Sequence, residues 1–326
     1  MNYSVTQESF DSLASYWSSP DNHLNWNSVF VLPAWLEVWW REFQPEAELY
    51  LSAVRQGADI IGIAPLQVRD KKASFIGDVD VCDYMDFVIA PGKESDFFNI
   101  LLDDLSRQGV EQFDLGHLRP DSTVLTDLIP VAESRKCNVS CHEDAVSMEL
   151  DLPVTFDDYL ATLNKKQRHE VKRKLKRLWE AGDVNYRCVG VGNEVDGLMD
   201  TFLRLFAMSQ EEKADFMTAR MESFFRSVAR AMAAKGLLRF GVLEVDEQPA
   251  AMIMGFDYAD TMYLYNSAYD PGYSSLSVGV LSKVLCIKES IQRGLKKWDF
   301  LKGTEAYKYH LGGVEVPLRS CQITIR

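Results

Sequence analysis

The chain has 326 residues, 47% hydrophobic and 25% charged, with a formal net charge of −13. That length is enough for two domains with full cores, and the acidity argues against general binding to DNA or to an anionic membrane. No apolar run approaches the ~20 residues of a membrane helix, so no integral membrane association is expected.

Residues 1–17 carry Glu8 and Asp11 and no Lys or Arg, which does not fit a signal peptide. The six cysteines, Cys82, Cys137, Cys141, Cys188, Cys286 and Cys321, are scattered through a long chain. That pattern predicts free thiols and a cytoplasmic location.

In chain order, Pro33 opens a helix carrying Trp35, Leu36, Val38, Trp39 and Phe43. Strands are expected at 49–55 and 60–68, joined by Gln56-Gly57-Ala58-Asp59. An extended stretch at 73–89, a helix at 94–107 ended by Gly109, and a strand at 112–115 follow. A junction is expected near 150–153. It divides the chain into segments 1–150 and 151–326.

Beyond the junction, an apolar stripe of Leu160, Leu163, Val171, Leu175, Leu178 and Trp179 predicts one long helix over 159–181, ended by Gly182. Its other face is basic. Residues 164–180 hold eight Lys or Arg against two Glu, a net of +6, which leaves −19 for the rest of the chain. Such a face is either solvated or an anion site, and the surrounding acidity weighs against nucleic acid.

A second round of elements then repeats the first in order. A helix at 221–235 is followed by strands at 237–245 and 250–256, joined by Asp246-Glu247-Gln248-Pro249. A strand at 262–268, a helix at 280–293 ended by Gly294, and a strand at 298–301 complete it. The repeat lies in element order, since residue identity between the halves is poor.

Between the strand at 262–268 and the following helix lie the turn Tyr269-Asp270-Pro271-Gly272 and the loop Tyr273-Ser274-Ser275-Leu276-Ser277-Val278-Gly279. Free N–H groups and the positive dipole end make such a helix start favourable for a phosphate. Gly279 permits close backbone approach, and the serine hydroxyls can donate. The same serines also suit a plain N-cap loop. At the corresponding place in the first half stands Cys82-Asp83-Tyr84-Met85-Asp86, whose carboxylates would repel a phosphate.

The order strand, phosphate loop, helix, strand resembles the acyl-CoA-binding half of a GNAT acyltransferase. The stretch Phe300-Leu301-Lys302-Gly303-Thr304-Glu305-Ala306-Tyr307-Lys308, with Lys165-Lys166-Gln167-Arg168, resembles the CelD-type acetyltransferase family, relatives of the FemAB transferases. The likeness implies an α/β fold of tandem GNAT-like domains, with mixed, mainly antiparallel sheets flanked by helices. The first would be degenerate, and the second would hold acyl-CoA at Ala268, Ser274, Ser277, Val278 and Gly279. The usual phosphate loop begins with Arg or Gln and has an earlier Gly; here Ser274 and Ser277 stand in those places.

The activity implied is N-acyl transfer to an amine on a small molecule or glycan precursor. The alternatives are FemAB-like transfer from aminoacyl-tRNA and a catalytically silent binding protein. Acyl transfer to an amine needs a base, oxyanion donors and an acid for the leaving thiolate. Asp270, Glu305, Asp83 and Asp86 are candidate bases. Tyr269, Tyr307 and Lys308 are candidates for acid or orientation. Arg168, with Asp83, Tyr84, Asp86 and Tyr269, would face substrate. Each has a plainer reading, such as a turn aspartate, a first-turn acid or a core aromatic. No metal is expected, because Cys137-x-x-x-Cys141-His142 has no second ligand pair at suitable spacing.

Overall fold

A computed structural model describes residues 2–21, 23–78, 80–190, 194–209 and 215–325. The chain forms two compact units, Met1–Val146 with Val316–Arg326, and Ser147–Glu315.

The elements run β1 (Tyr3–Gln7), α1 (Phe10–Ser18), α2 (Pro33–Phe43), β2 (Glu48–Gln56), β3 (Asp59–Arg69), β4 (Lys72–Phe75), β5 (Val88–Ile89), α3 (Glu94–Arg107), β6 (Gln112–Leu118) and α4 (Ile129–Ser134). They continue with β7 (Asn138–Asp151), α5 (Phe156–Thr162), α6 (Lys165–Trp179), β8 (Val184–Val189), α7 (Val195–Ser209) and α8 (Ala219–Ala234). Last come β9 (Leu238–Val245), β10 (Gln248–Tyr258), β11 (Thr261–Tyr269), α9 (Val278–Gln292), β12 (Lys297–Lys302), α10 (Ala306–His310) and β13 (Val314–Thr324).

In the first unit the strand order is β1-β2-β3-β4-β6-β13 followed by the start of β7. β2, β3 and β4 form an antiparallel meander, and β6 returns parallel to β4 after the crossover helix α3. The core is aromatic. Phe87 packs edge-on against Phe75, Phe97, Phe98 and Phe113, with centroids 5.0–6.2 Å apart. Gly62 on β3 is there for space, since a Cβ would stand 2.4 Å from the Phe97 ring.

The second unit repeats this plan. Its order is the end of β7, then β12-β11-β10-β9-β8. β9, β10 and β11 form the meander, and β12 returns parallel to β11 after the crossover helix α9. The repeat seen in element order is thus a repeat of sheet topology, and the fold is one of tandem α/β units with mainly antiparallel sheets.

Four local expectations are revised. The long helix at 159–181 is two helices: Leu163 turns to an extended conformation, and the Asn164 side chain accepts the Gln167 N–H to start α6 afresh. Among the described residues of 73–89, strand is found only at the ends, in β4 and β5. Residues 316–326, read with the second segment, cluster with the first unit, because β13 pairs antiparallel with β6 there. Finally, Cys141 and Cys321 are not free thiols but a disulfide joining β7 to β13, leaving Cys82, Cys137, Cys188 and Cys286 unpaired. The bridge removes the thiol count as an argument about compartment.

Candidate functional site

In the second unit β11 and β12 pair at only three positions, Thr261–Lys297, Met262–Trp298 and Tyr263–Asp299. Beyond them β11 follows β10 as far as Tyr269, whereas β12 follows β7 through Leu301 and Lys302. The two parallel strands therefore part, and a wedge opens between their C-terminal ends. The end of β11 is pinned from the side, where Ser209 Oγ accepts the Tyr269 N–H (2.8 Å) and donates to the Tyr269 carbonyl (3.0 Å).

The chain leaves β11 through a short turn. Asp270 accepts the Gly272 N–H at 2.8 Å, a 3-10 segment Pro271–Leu276 kinked at Tyr273 follows, and Ser277 takes a left-handed conformation (φ 58°). α9 then begins with no acidic residue in its first turn and no side-chain cap. The Ser277 carbonyl accepts the N–H groups of Val280 and Leu281. Those of Val278 and Gly279 have no partner among the described residues. Two open amides at the positive end of a fifteen-residue helix form an anion-favouring start. The Tyr269 ring lies over Gly279, where a Cβ would come within 3.1 Å of it.

The cation missing from the loop sequence arrives from elsewhere. Arg177, on the last turn of α6, donates from Nη2 to Ser277 Oγ at 3.2 Å. Its Nε is buried with no hydrogen-bond partner among the described residues. Lys283, one turn into α9 and 5% exposed, donates to the Gly279 carbonyl at 2.8 Å and stands 4.7 Å from the centre of the Tyr307 ring. Sequence reading missed both. Arg177 lies 100 residues from Ser277, and only the packing of α6 on α9 joins them.

A cavity of about 370 Å³ lies beside this helix start. Val171, Val280, Leu281 and Leu311 form its apolar side, with Tyr307, and Lys166, Glu170, Lys174 and His310 are among its polar lining. Burial pushes the Tyr307 hydroxyl pKa well up, and the Glu305 carboxylate adds to this. The phenol is therefore held in its protonated, proton-donating form. Glu170 goes the other way: hydrogen bonding from Arg173, with Lys174 nearby, lowers its carboxyl to about 2.

The sequence-predicted residues divide into groups. Tyr307 lines the cavity. Tyr269, Ser277, Val278 and Gly279 gather at the start of α9; Ser274 contributes its carbonyl to the Ser277 N–H, and Ala268 is buried in β11 opposite Met252. Asp270 is engaged in its turn. Lys308 is 2% exposed and donates to the carbonyls of Leu301, Lys302 and Gly303 at 2.6–3.2 Å, with Glu305 at 3.0 Å. It fastens the turn after β12, where Leu301 and Gly303 have positive φ, and its ammonium is taken up by backbone. Glu305 is held by the same ammonium while its carboxylate stays more than half exposed. Arg168 turns to the Ala161 carbonyl at 3.5 Å; the α6 residues that line the cavity are Lys166, Gln167, Glu170, Val171 and Lys174.

Asp83, Tyr84 and Asp86 lie in the first unit. Tyr84 is buried edge-on against Phe30, with the Arg119 guanidinium 5.0 Å from its ring centre. Asp83 is half-buried. Asp86 is 4% exposed and accepts from Asn27 Nδ2, the Thr123 N–H and hydroxyl, and the Phe87 N–H, at 2.6–3.0 Å. Burial nonetheless pushes its carboxyl up to about 6. Tyr84 and Asp86, with Arg119, border a polar cavity of about 140 Å³.

Comparison with known proteins follows this division. A sequence profile described as Acetyltransferase (GNAT) domain matches residues 165–309. Among solved structures the chain is similar to FemX, with a TM-score of 0.65 and 11% identity over 98% of this chain and 96% of that one. It is similar also to a conserved protein of unknown function from Bacteroides thetaiotaomicron VPI-5482, with a TM-score of 0.61, 13% identity and coverage of 98% and 99%. A third is the C-terminal domain of a putative lysylphosphatidylglycerol synthetase from Agrobacterium fabrum, with a TM-score of 0.54, 10% identity and coverage of 81% and 80%. At these identities the likeness is one of fold. No curated protein matches the sequence. The second unit thus carries a GNAT acetyltransferase match within a FemX-like fold of tandem GNAT-like domains.

Proposed function

We propose that this protein is an N-acyltransferase that moves an acyl group from acyl-CoA to an amine, with the donor held in the second unit. The observation that carries this reading is the start of α9, where the open amides of Val278 and Gly279 and the Arg177 guanidinium converge beside a wedge between parting parallel strands. The pyrophosphate of the donor would rest on those amides, and its pantetheine would run along β11 past Ala268. Arg177 would replace the basic residue that the loop itself lacks.

The amine nitrogen would attack the thioester carbon, forming C–N and releasing the thiolate as C–S breaks. Tyr307, kept protonated by burial, would give its proton to the departing sulfur. Glu305, exposed at the edge of the same turn, or Asp270 would take the proton lost by the amine, directly or through water. By analogy with the CelD-type family that residues 300–308 resemble, the acceptor would be an amine on a small molecule or a cell-envelope glycan precursor. A second reading, aminoacyl transfer from charged tRNA, draws on the basic helix α6 beside the same cavity.

Thiol release from acetyl-CoA and longer acyl-CoAs, followed across an amine panel, tests the proposal. Tyr307→Phe should lower kcat by roughly 100-fold or more while donor affinity stays within about twofold. An unchanged kcat removes Tyr307 from the chemistry. Failure of every acyl-CoA to bind, with turnover of aminoacyl-tRNA, selects the second reading.

A further inference from the structure

Helix α6 has two working faces. Lys166, Gln167, Glu170, Val171 and Lys174 border the cavity. On another side Lys165, His169, Lys172, Lys176 and Trp179 follow one another at intervals of four, three, four and three, so they form one stripe along the helix. All five are exposed; Trp179, which the sequence places on the apolar stripe, is instead 48% exposed.

The pairing of charges on α6 leaves this stripe open. Arg173 is bound by Glu170 at 2.8 Å. Lys165, His169 and Lys172 have no ion pair or side-chain hydrogen bond among the described residues. Lys176 reaches Glu180 only at 3.7 Å, with its side chain 77% exposed, and such a pair contributes little in water. An indole left in water at the end of a lysine row has an unmet preference for a boundary between polar and apolar surroundings.

We infer that the outer stripe of α6 is a docking edge for an anionic lipid surface. From Lys165 to Lys176 the row spans ~16 Å of helix, a run of exposed cations of the kind that anionic headgroups attract. The chemistry divides along it: lysines meet phosphate headgroups, and the indole of Trp179 enters the headgroup layer. The −19 carried by the rest of the chain holds the protein off such a surface in other orientations. A nucleic acid strand is favoured less, since the phosphates of a groove or coil would extend past the stripe toward that negative remainder. The inference stands apart from the acyl-transfer reading, because the stripe lies outside the cavity lining.

Flotation of the intact chain with vesicles tests it. Vesicles of phosphatidylcholine with about one third phosphatidylglycerol should carry the protein at low salt and release it at high salt, and pure phosphatidylcholine should not. Replacing Lys165, Lys172 and Lys176 by Gln should reduce partitioning about fivefold per lysine. The same three changed to Arg should retain it, which separates loss of charge from loss of fold. Trp179→Ala should weaken binding severalfold without changing its salt dependence. Equal flotation with neutral and anionic vesicles, or full binding by the Gln variant, overturns the inference. Binding to RNA with none to vesicles does so as well.

Discussion

The two crossover helices of this protein follow equivalent parallel strand pairs, yet their starts differ in charge. α3 carries Glu94 and Asp96 in its first turn, and Glu94 accepts the Gly92 N–H. Its positive end is neutralised by its own side chains. Neither helix has a side-chain cap, but α9 has no first-turn acid beside its open amides and has Arg177 at hand. The approach loops differ in the same sense. In the first unit Asp78 accepts from the Trp39 indole and Asp86 from four donors, so these two carboxylates hold the loop. In the second unit the loop presents a left-handed serine and a glycine. One topology thus supports two outcomes: a helix start with its own acids in the first unit and an acid-free, anion-favouring one in the second.

Giving α9 an acid of the kind α3 has should abolish the difference. Gly279→Asp places a Cβ 3.1 Å from the Tyr269 ring and a carboxylate at the open amides. Donor affinity, measured by calorimetry, should fall by about 3–5 kcal/mol, the scale of an unpaired charge in a partly buried site. Undiminished affinity means the donor binds elsewhere.

The inward carboxylate of the first unit makes a pH prediction. The Asp86 carboxyl is raised from 3.8 to about 6, so its protonated form is favoured by folding. The stability it contributes is full below 3.8 and is lost as pH rises through about 6. The total is at most about 3 kcal/mol. Urea unfolding of the parent and of Asp86→Asn should show a gap that narrows from pH ~4 to pH ~7. A gap that widens with pH would mean that the four donors outweigh burial.

Arg177→Gln sharpens the comparison from the cationic side. Loss of a charged hydrogen-bond donor should weaken acyl-CoA binding by about 2 kcal/mol, with little change in melting temperature, because the one bond lost, to Ser277 Oγ, is offset by removal of a buried Nε that has no partner among the described residues. A large fall in stability with unchanged affinity would make Arg177 a packing residue. The smallest effect is expected in the first unit: Glu94→Gln with Asp96→Asn should leave donor affinity within about 0.5 kcal/mol.

Much of this contrast was legible in the sequence. The run of carboxylates near Asp83, the serine loop ending at Gly279 and the alternation of strand and helix patterns all rest on local periodicity and residue chemistry. What escaped is non-local. Arg177 reads as one more cation on a basic helix until α6 packs against α9. Cys141 and Cys321 are 180 residues apart and meet only through the sheet. β7 begins with a largely exposed stretch, Asn138–Glu143, that offers no inward face for alternation to reveal. Lys308 resembles a free cationic site residue in sequence; its burial under three carbonyls depends on the left-handed turn at Leu301.

The central claim is that one chain holds one acyl-CoA, at the start of α9. Calorimetric titration of acetyl-CoA into the parent and into Gly279→Asp tests it most directly. The account predicts one site per chain in the parent and none in the variant over the same concentration range. Two sites per chain, or one site that survives Gly279→Asp, would contradict it.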